Sequence, residues 1–263
     1  MTAISTSAGV GPLIRDWRNR RRLSQLDLAL DASVSARHLS FVETGRSKPS
    51  RELVLHLAEH LEVPLRERNA LLLAAGYAPA YGERPLGDEA MAPVRDALER
   101  LLKGHEPFPA VAVDRQWELV KANAPALALL SDGVDAELLE PPANTLRISL
   151  HPAGLAPRIA NLAEYSAHLL TRLRREAVLS GDPALGALHA ELAAYPGVDD
   201  GAALVHDPAG TLFIPLRLAS PAGELSFFST IATFGTALDV TVAELMIESF
   251  FPADDATAAA LGR

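Results

Sequence analysis

The 263-residue chain has no cysteine, which excludes disulfides, thiol catalysis and cysteine-ligated zinc or iron–sulfur centres. No apolar run approaches the ~20 residues that span a bilayer. Met1 to Val10 is small and polar and lacks the basic-then-apolar order of a secretory signal, so a cytoplasmic location, away from membranes, is expected. Catalytic signatures are missing too: there is no His-Glu-x-x-His, Gly-x-Ser-x-Gly or glycine-rich phosphate loop. His151, His168 and His206 do not share metal-ligand spacing. The expectation is a protein that is not an enzyme, with no catalytic residues, no metal and no catalytic cofactor.

What is present is 49% apolar residues, enough for sizeable cores, in a chain long enough for two domains. The net charge of −9 would argue against a nucleic-acid partner, but it is unevenly divided. Residues 1–84 carry a balance of +3 and residues 85–263 one of −12. Such asymmetry suits a small DNA-binding head on an acidic body, since only the docking face must be positive.

The head is organised around residues 33–46. Ser35 is a helix cap and Gly45 can take the left-handed conformation that ends a helix. Helical spacing turns Val34, Leu39 and Val42 inward and leaves Arg37, His38, Ser40, Phe41 and Thr44 outside. A basic and aromatic outer face suits the edges of nucleic-acid bases. Around it, Pro12 opens a first helix with Ile14 and Trp17 inward and a basic run from Arg15 to Arg22. Ser24 caps a second helix, Ser50 a fourth, and Pro64 starts a fifth that stops at Gly76. The alternative, a plain helical hairpin in a bundle, has no need of Gln25, Arg37, Arg46 and Lys48 at these spacings.

Leu23-Ser24-Gln25, Val34-Ser35, Glu43-x-Gly45, Pro49-Ser50 and the Leu57-to-Val63 run resemble the phage-repressor-type (Xre) helix-turn-helix domain. Arg37-His38-Leu39-Ser40-Phe41, residues 45–51 and residues 64–76 resemble its MmyB-like branch, whose members add a ligand-binding domain. Ser33 departs from the glycine usual at the turn, and Ala36 from the usual polar base reader. The resemblance implies that Gln25 clamps a phosphate at a helix N-terminus and that Arg46, Lys48 and Arg51 hold the DNA backbone. It implies too that Ser35, Ala36, Arg37, Ser40 and Phe41 lie along the major groove, Arg37 suited to guanine and Ala36 to a thymine methyl. Arg18 and Glu43 are implied to form a structural bridge between the first and third helices.

Residues 77–104 read as a linker, rich in Pro, Gly and Tyr, followed by a helix over 89–103 that Gly104 ends. From residue 105 to 255 the pattern is mixed. A strand at 110–113, a turn, and a partner strand over 117–122 that begins with Trp117 lead to Asn123, which caps a helix; PAS-type sensor domains begin this way. Helices over 158–179 and 183–194 follow, then strands over 210–218, 224–234 and 242–251. Arg147, His151-Pro152-x-Gly154, Asn161, His168, residues 227–230 and residues 248–254 resemble the C-terminal domain of MmyB-like regulators. That resemblance implies a PAS-like domain for a small effector, of fatty-acyl or other apolar type. Trp117, Arg147, Arg158, Phe227 and Phe234 are its candidate ligand residues, the phenylalanines as apolar lining and an arginine as partner for a carboxylate end.

The expected protein is thus multi-domain: an all-α five-helix head over residues 10–76, a linker over 77–104, and an α+β PAS-like domain with an antiparallel sheet over 105–255. The expected function is sequence-specific, effector-modulated DNA binding by a homodimer. The alternative is a head that acts through protein contacts, as in an antitoxin or a sigma-factor partner.

Overall fold

The computed structural model describes residues 9–200, 213–221 and 223–262; His206 and the start of the strand expected at 210–212 lie outside them. The chain divides into two compact units, one chiefly of residues up to Arg84 and one chiefly of residues from Pro85 onward. Residues 77–84, read as linker, fold with the first unit. The reason is Asn69, whose Oδ1 accepts from Ala80 N (2.9 Å) and Tyr81 N (3.1 Å) while its amide donates to Tyr81 O (2.8 Å).

The first unit is five helices: α1 (Val10–Arg20), α2 (Gln25–Asp31), α3 (Ala36–Glu43), α4 (Arg51–His60) and α5 (Leu65–Ala74). The caps legible in the sequence all act. Ser24 accepts from Asp27 N, and Asp27 returns a bond to Ser24 N. Ser35 accepts from His38 N and Ser50 from Leu53 N. Each satisfies an amide that the first helical turn leaves free. Ile14, Leu28, Leu39, Leu57, Leu61, Leu71 and Leu72 form the buried centre.

Two helix ends use glycine in the left-handed region, Gly45 (φ 72°) and Gly76 (φ 82°), but three do not. Arg22 (φ 57°), Ser33 (φ 53°) and Glu62 (φ 48°) take the same position after α1, α2 and α4. The next amide then reaches back five residues, from Leu23 to Arg18 O, Val34 to Ala29 O and Val63 to Ala58 O. Leu23, Val34 and Val63 thereby join the core. Closing the helix and burying an apolar residue offset a local cost of about 1–2 kcal/mol for a side chain in this conformation.

The second unit opens with a 3-10 turn at Glu89–Met91 and α6 (Ala92–Gly104). Its sheet comprises β1 (Ala110–Val113), β2 (Leu119–Ala122), β3 (Leu216–Ser220), β4 (Gly223–Thr233) and β5 (Met246–Pro252), antiparallel throughout in the order β2-β1-β5-β4-β3. Strand β1 is buried on both sides. Ala110 and Ala112 meet Leu98 and Leu102 of α6, while Val111 and Val113 face the larger core. That core is closed by α7 (Ala124–Ser131), α8 (Ala136–Leu139), α9 (Thr145–Leu150), α10 (Leu162–Ser180) and α11 (Pro183–Ala193). Two short helices, α12 (Val240–Ala243) and α13 (Asp255–Ala260), flank β5.

Several boundaries differ from the sequence reading. Trp117 is not in a strand. It sits in the turn at φ 65°, where Asp114 Oδ1 accepts from Gln116 N and Glu118 N, and β2 starts at Leu119. The last strand begins at Met246, not 242, because Val113 and Thr233 are the final residues of β1 and β4 that pair with it. The long helix starts at Leu162, since Ala156–Arg158 forms a separate 3-10 turn.

Candidate functional site

Helix α3 has two faces. Leu39, Val42 and Glu43 are buried, whereas Ser35, Arg37 and His38 are exposed and Ala36, Ser40 and Phe41 half-buried. Phe41 is held between cations: the Arg37 guanidinium lies 5.4 Å from its ring centroid and that of Arg46 6.0 Å. Each such contact contributes ~0.5–1 kcal/mol at an exposed site, so the ring pre-orients two guanidiniums on one surface. Lys48 and Arg51 are exposed nearby in sequence. Lys48 Nζ lies 5.3 Å from the ring of Tyr77, whose hydroxyl donates to Pro49 O (3.0 Å).

The pose of α3 is set from behind. Arg18 of α1 donates Nε to Glu43 Oε1 (2.7 Å) and Nη2 to Glu43 Oε2 (3.0 Å), with a further bond from Nη1 to Leu23 O (2.7 Å). Both residues are buried, and the hydrogen bond to Glu43 holds the guanidinium charged by raising its pKa. Gln25 donates its amide to Glu43 Oε2 (2.7 Å), so its nitrogen is engaged within the head. Helices α1 and α3 also approach backbone to backbone at Gly11, where a Cβ would stand 2.3 Å from Val42 O. The basic run is more structural than its composition implies. Arg21 donates to Leu61 O and Glu62 O (both 2.9 Å), holding the carbonyl end of α4.

The second unit contains a cavity of about 40 Å³ between the sheet and the helices. Its apolar wall includes Val111, Leu130, Leu146, Leu155, Leu169 and Phe250; Glu248 and Tyr165 are among the polar residues that line it. Burial pushes the Glu248 carboxyl up, against the opposing effects of the Arg172 charge and of the Ser229 hydrogen bond.

None of the five ligand residues expected from the sequence lines this cavity. Trp117 is buried, its indole donating to Glu176 Oε2 (2.9 Å) under the Arg172 guanidinium (4.2 Å). Arg147 is paired on both sides with Glu191 (2.7 and 2.8 Å), joining α9 to α11. Arg158 bonds the backbone of Asp132 and Ala219 and pairs with the Asp132 carboxylate. Phe227 packs edge-on against Phe250 within the core, and Phe234 lies on the α6 side of the sheet. Glu248 was visible in the sequence only as a member of the 248–254 motif. The signal for its inward position was an acid between Met246 and Phe250 at period-two spacing in an apolar strand. Other motif residues are structural: a Cβ at Gly154 would stand 2.2 Å from Ile148 O, Asn161 bonds Pro215 O and Arg217 N, and Asp254 caps α13.

The chain thus combines a five-helix head, whose third helix exposes Arg37, with an α+β domain that encloses a cavity, the arrangement of a DNA-binding regulator with a ligand-binding domain. The model of the MmyB-like transcription regulator ligand binding domain matches residues 94–263, and that of a helix-turn-helix domain matches residues 10–71. The chain belongs to the family of MmyB-like transcription regulators, and so binds DNA. No curated protein matches the chain. Among the described residues, no group of His, Asp or Glu could hold a metal, and no helix is long and apolar enough to cross a membrane.

Proposed function

We propose that the protein is a sequence-specific regulator that reads its operator as a homodimer and whose DNA affinity is set by a small, mainly apolar effector. The observation that carries this reading is the outer face of α3, where Phe41 holds Arg37 and Arg46 side by side. Arg37, near the N-terminus of the recognition helix, reaches a guanine edge; Ala36 and Phe41 meet thymine methyls; Arg46, Lys48 and Arg51 grip phosphates. One recognition helix covers a half-site, so a second copy one helical turn away completes the operator. The sheet order β2-β1-β5-β4-β3 and the Asn123-capped helix support a PAS-like assignment for the second domain.

A gel-shift titration with the DNA upstream of the protein's own gene, repeated across salt concentrations, tests the reading. Sequence-preferring binding that weakens steeply with salt is expected. Binding indifferent to both salt and sequence would favour a head that works through protein contacts. The effector occupies the cavity beside Glu248. At about 40 Å³ against the ~10–15 Å³ that a single water needs, the cavity takes a group of a few heavy atoms, and a fatty-acyl chain enters only if the helices part.

A further inference from the structure

The cavity offers a ligand no unspent charge. Glu248, buried, accepts from the Ser229 hydroxyl at Oε1 (2.9 Å) and faces Arg172, whose Nη1 stands 3.8 Å from the same oxygen. Burial also disfavours its charged form. Arg172 is shared with Glu176 (3.7 Å) and covers the Trp117 ring. Among the described residues, no Lys, Arg or His lines the cavity. Arg147 and Arg158 are tied to Glu191 and Asp132 elsewhere. The outcome is the same whether Glu248 is ionised beside Arg172 or protonated. An added carboxylate gains no cation, and an added ammonium meets an acid already matched or neutral.

The hydrogen-bonding groups are as narrowly set. The hydroxyl of Thr145 donates to Trp117 O (3.1 Å) and that of Ser149 to Thr145 O (2.8 Å), so both protons are used. The Tyr165 hydroxyl, on α10, is the side-chain donor that remains. It gives its proton to no acceptor among the described residues, and Glu248 acts on it only through its charge. Burial and that charge push the phenol pKa up, so the group stays an O–H donor at any working pH.

We propose that the effector is an uncharged, compact ketone or alcohol of about four heavy atoms, whose oxygen accepts from the Tyr165 hydroxyl and whose hydrocarbon part lies against Leu130, Leu155 and Leu169. This rests on the reading of the second domain as an effector domain and names its ligand class. A carbonyl or alcohol oxygen gives the hydroxyl its acceptor without bringing a charge to desolvate. A carboxylate could accept the same bond but would carry an unpaired charge into a low-dielectric space. A hydrocarbon of the same size would leave the O–H unmet.

The test uses three probes of equal size on the full-length protein at neutral pH: acetone, acetate and isopropylamine, the last as its ammonium ion. Affinities come from ligand-observed NMR titration, and placement from NOEs between the acetone methyls and the methyl groups of Leu130, Leu155 and Leu169. Acetone is expected to bind at least about tenfold more tightly than either ion, because only the ions lose solvation without a partner. Tyr165→Phe is expected to weaken acetone about fivefold, the worth of one neutral hydrogen bond. The probe series and the NOEs need no variant, so the proposal is tested even if Tyr165→Phe does not fold. Acetate or isopropylammonium binding as tightly as acetone, undiminished acetone binding in folded Tyr165→Phe, absence of those NOEs, or no binding by any probe would each overturn it. Gel shifts separate the two readings. Acetone that binds at Tyr165 without altering DNA affinity upholds this ligand class and removes the effector role; a charged probe that alters DNA affinity from this cavity keeps the effector role and removes the ligand class.

Discussion

At the scale of single residues, the buried Arg18–Glu43 pair makes the sharpest claim on stability. Removing one partner leaves a buried charge alone, which costs about 3 kcal/mol or more. Arg18→Ala and Glu43→Ala should each lower the urea midpoint of the head, and Arg18→Met with Glu43→Leu should recover much of the loss. Unchanged midpoints for both single variants would mean that the bridge carries no load. On the outer face the readouts divide. Arg37→Ala should cost ~1–3 kcal/mol at one operator position and relax preference there, whereas Lys48→Ala should weaken all sequences alike and flatten the salt slope. Phe41→Ala should weaken binding through both flanking guanidiniums, although the ring itself forms no hydrogen bond. In the second domain, Glu248 sets a pH dependence. Its folded pKa is raised, chiefly by burial, so its contribution is most favourable below the ordinary value of 4.5 and is lost as pH rises through the raised one. Glu248→Gln should therefore melt higher than the parent at neutral pH, with the gap closing as the solution is acidified towards pH 4.5.

At the scale of elements, much of the head was legible because its signals are local. Ser24, Ser35 and Ser50 cap within three residues, and Gly45 and Gly76 end helices where left-handed φ is needed. Ser33 and Glu62 do the same work without a glycine: Ser33 was marked only as a departure from the usual glycine at the turn, and Glu62 only the geometry reveals. That yields a test: Ser33→Gly should raise head stability by roughly 0.5–1 kcal/mol in thermal denaturation, the relief of the left-handed cost partly offset by unfolded-state entropy. Gly11→Ala should act in the opposite direction, because helix α1 would have to retreat from the Val42 carbonyl. The cavity was not legible. Its lining comes from residues far apart in sequence, Val111, Leu130, Tyr165, Leu216 and Glu248 among them, and no periodicity within one element announces such a meeting. The arginines and aromatics chosen from the sequence were conspicuous by type, but Arg147, Arg158 and Trp117 are used to join elements. The last strand, expected from 242, begins at Met246 because its neighbours β1 and β4 end opposite that residue.

At the scale of the whole molecule, charge is segregated in the way a regulator needs, +3 over residues 1–84 and −12 over the rest. Most of the DNA affinity should accordingly be electrostatic and confined to the head, with a salt slope set by the few phosphate-facing cations. Strand β1 carries a further consequence. Its alternate side chains face the cavity on one side and α6 on the other, and the residues towards α6 are Ala110 and Ala112, which let the helix lie close. The partition between cavity and helix is thus a single strand thick, flanked by β5, where Glu248 and Ile247 again point opposite ways. Close-packed interiors deform little and pass displacement on. A change of volume in the cavity therefore bears on a strand whose opposite face packs on α6, the helix that follows the DNA-binding unit in the chain.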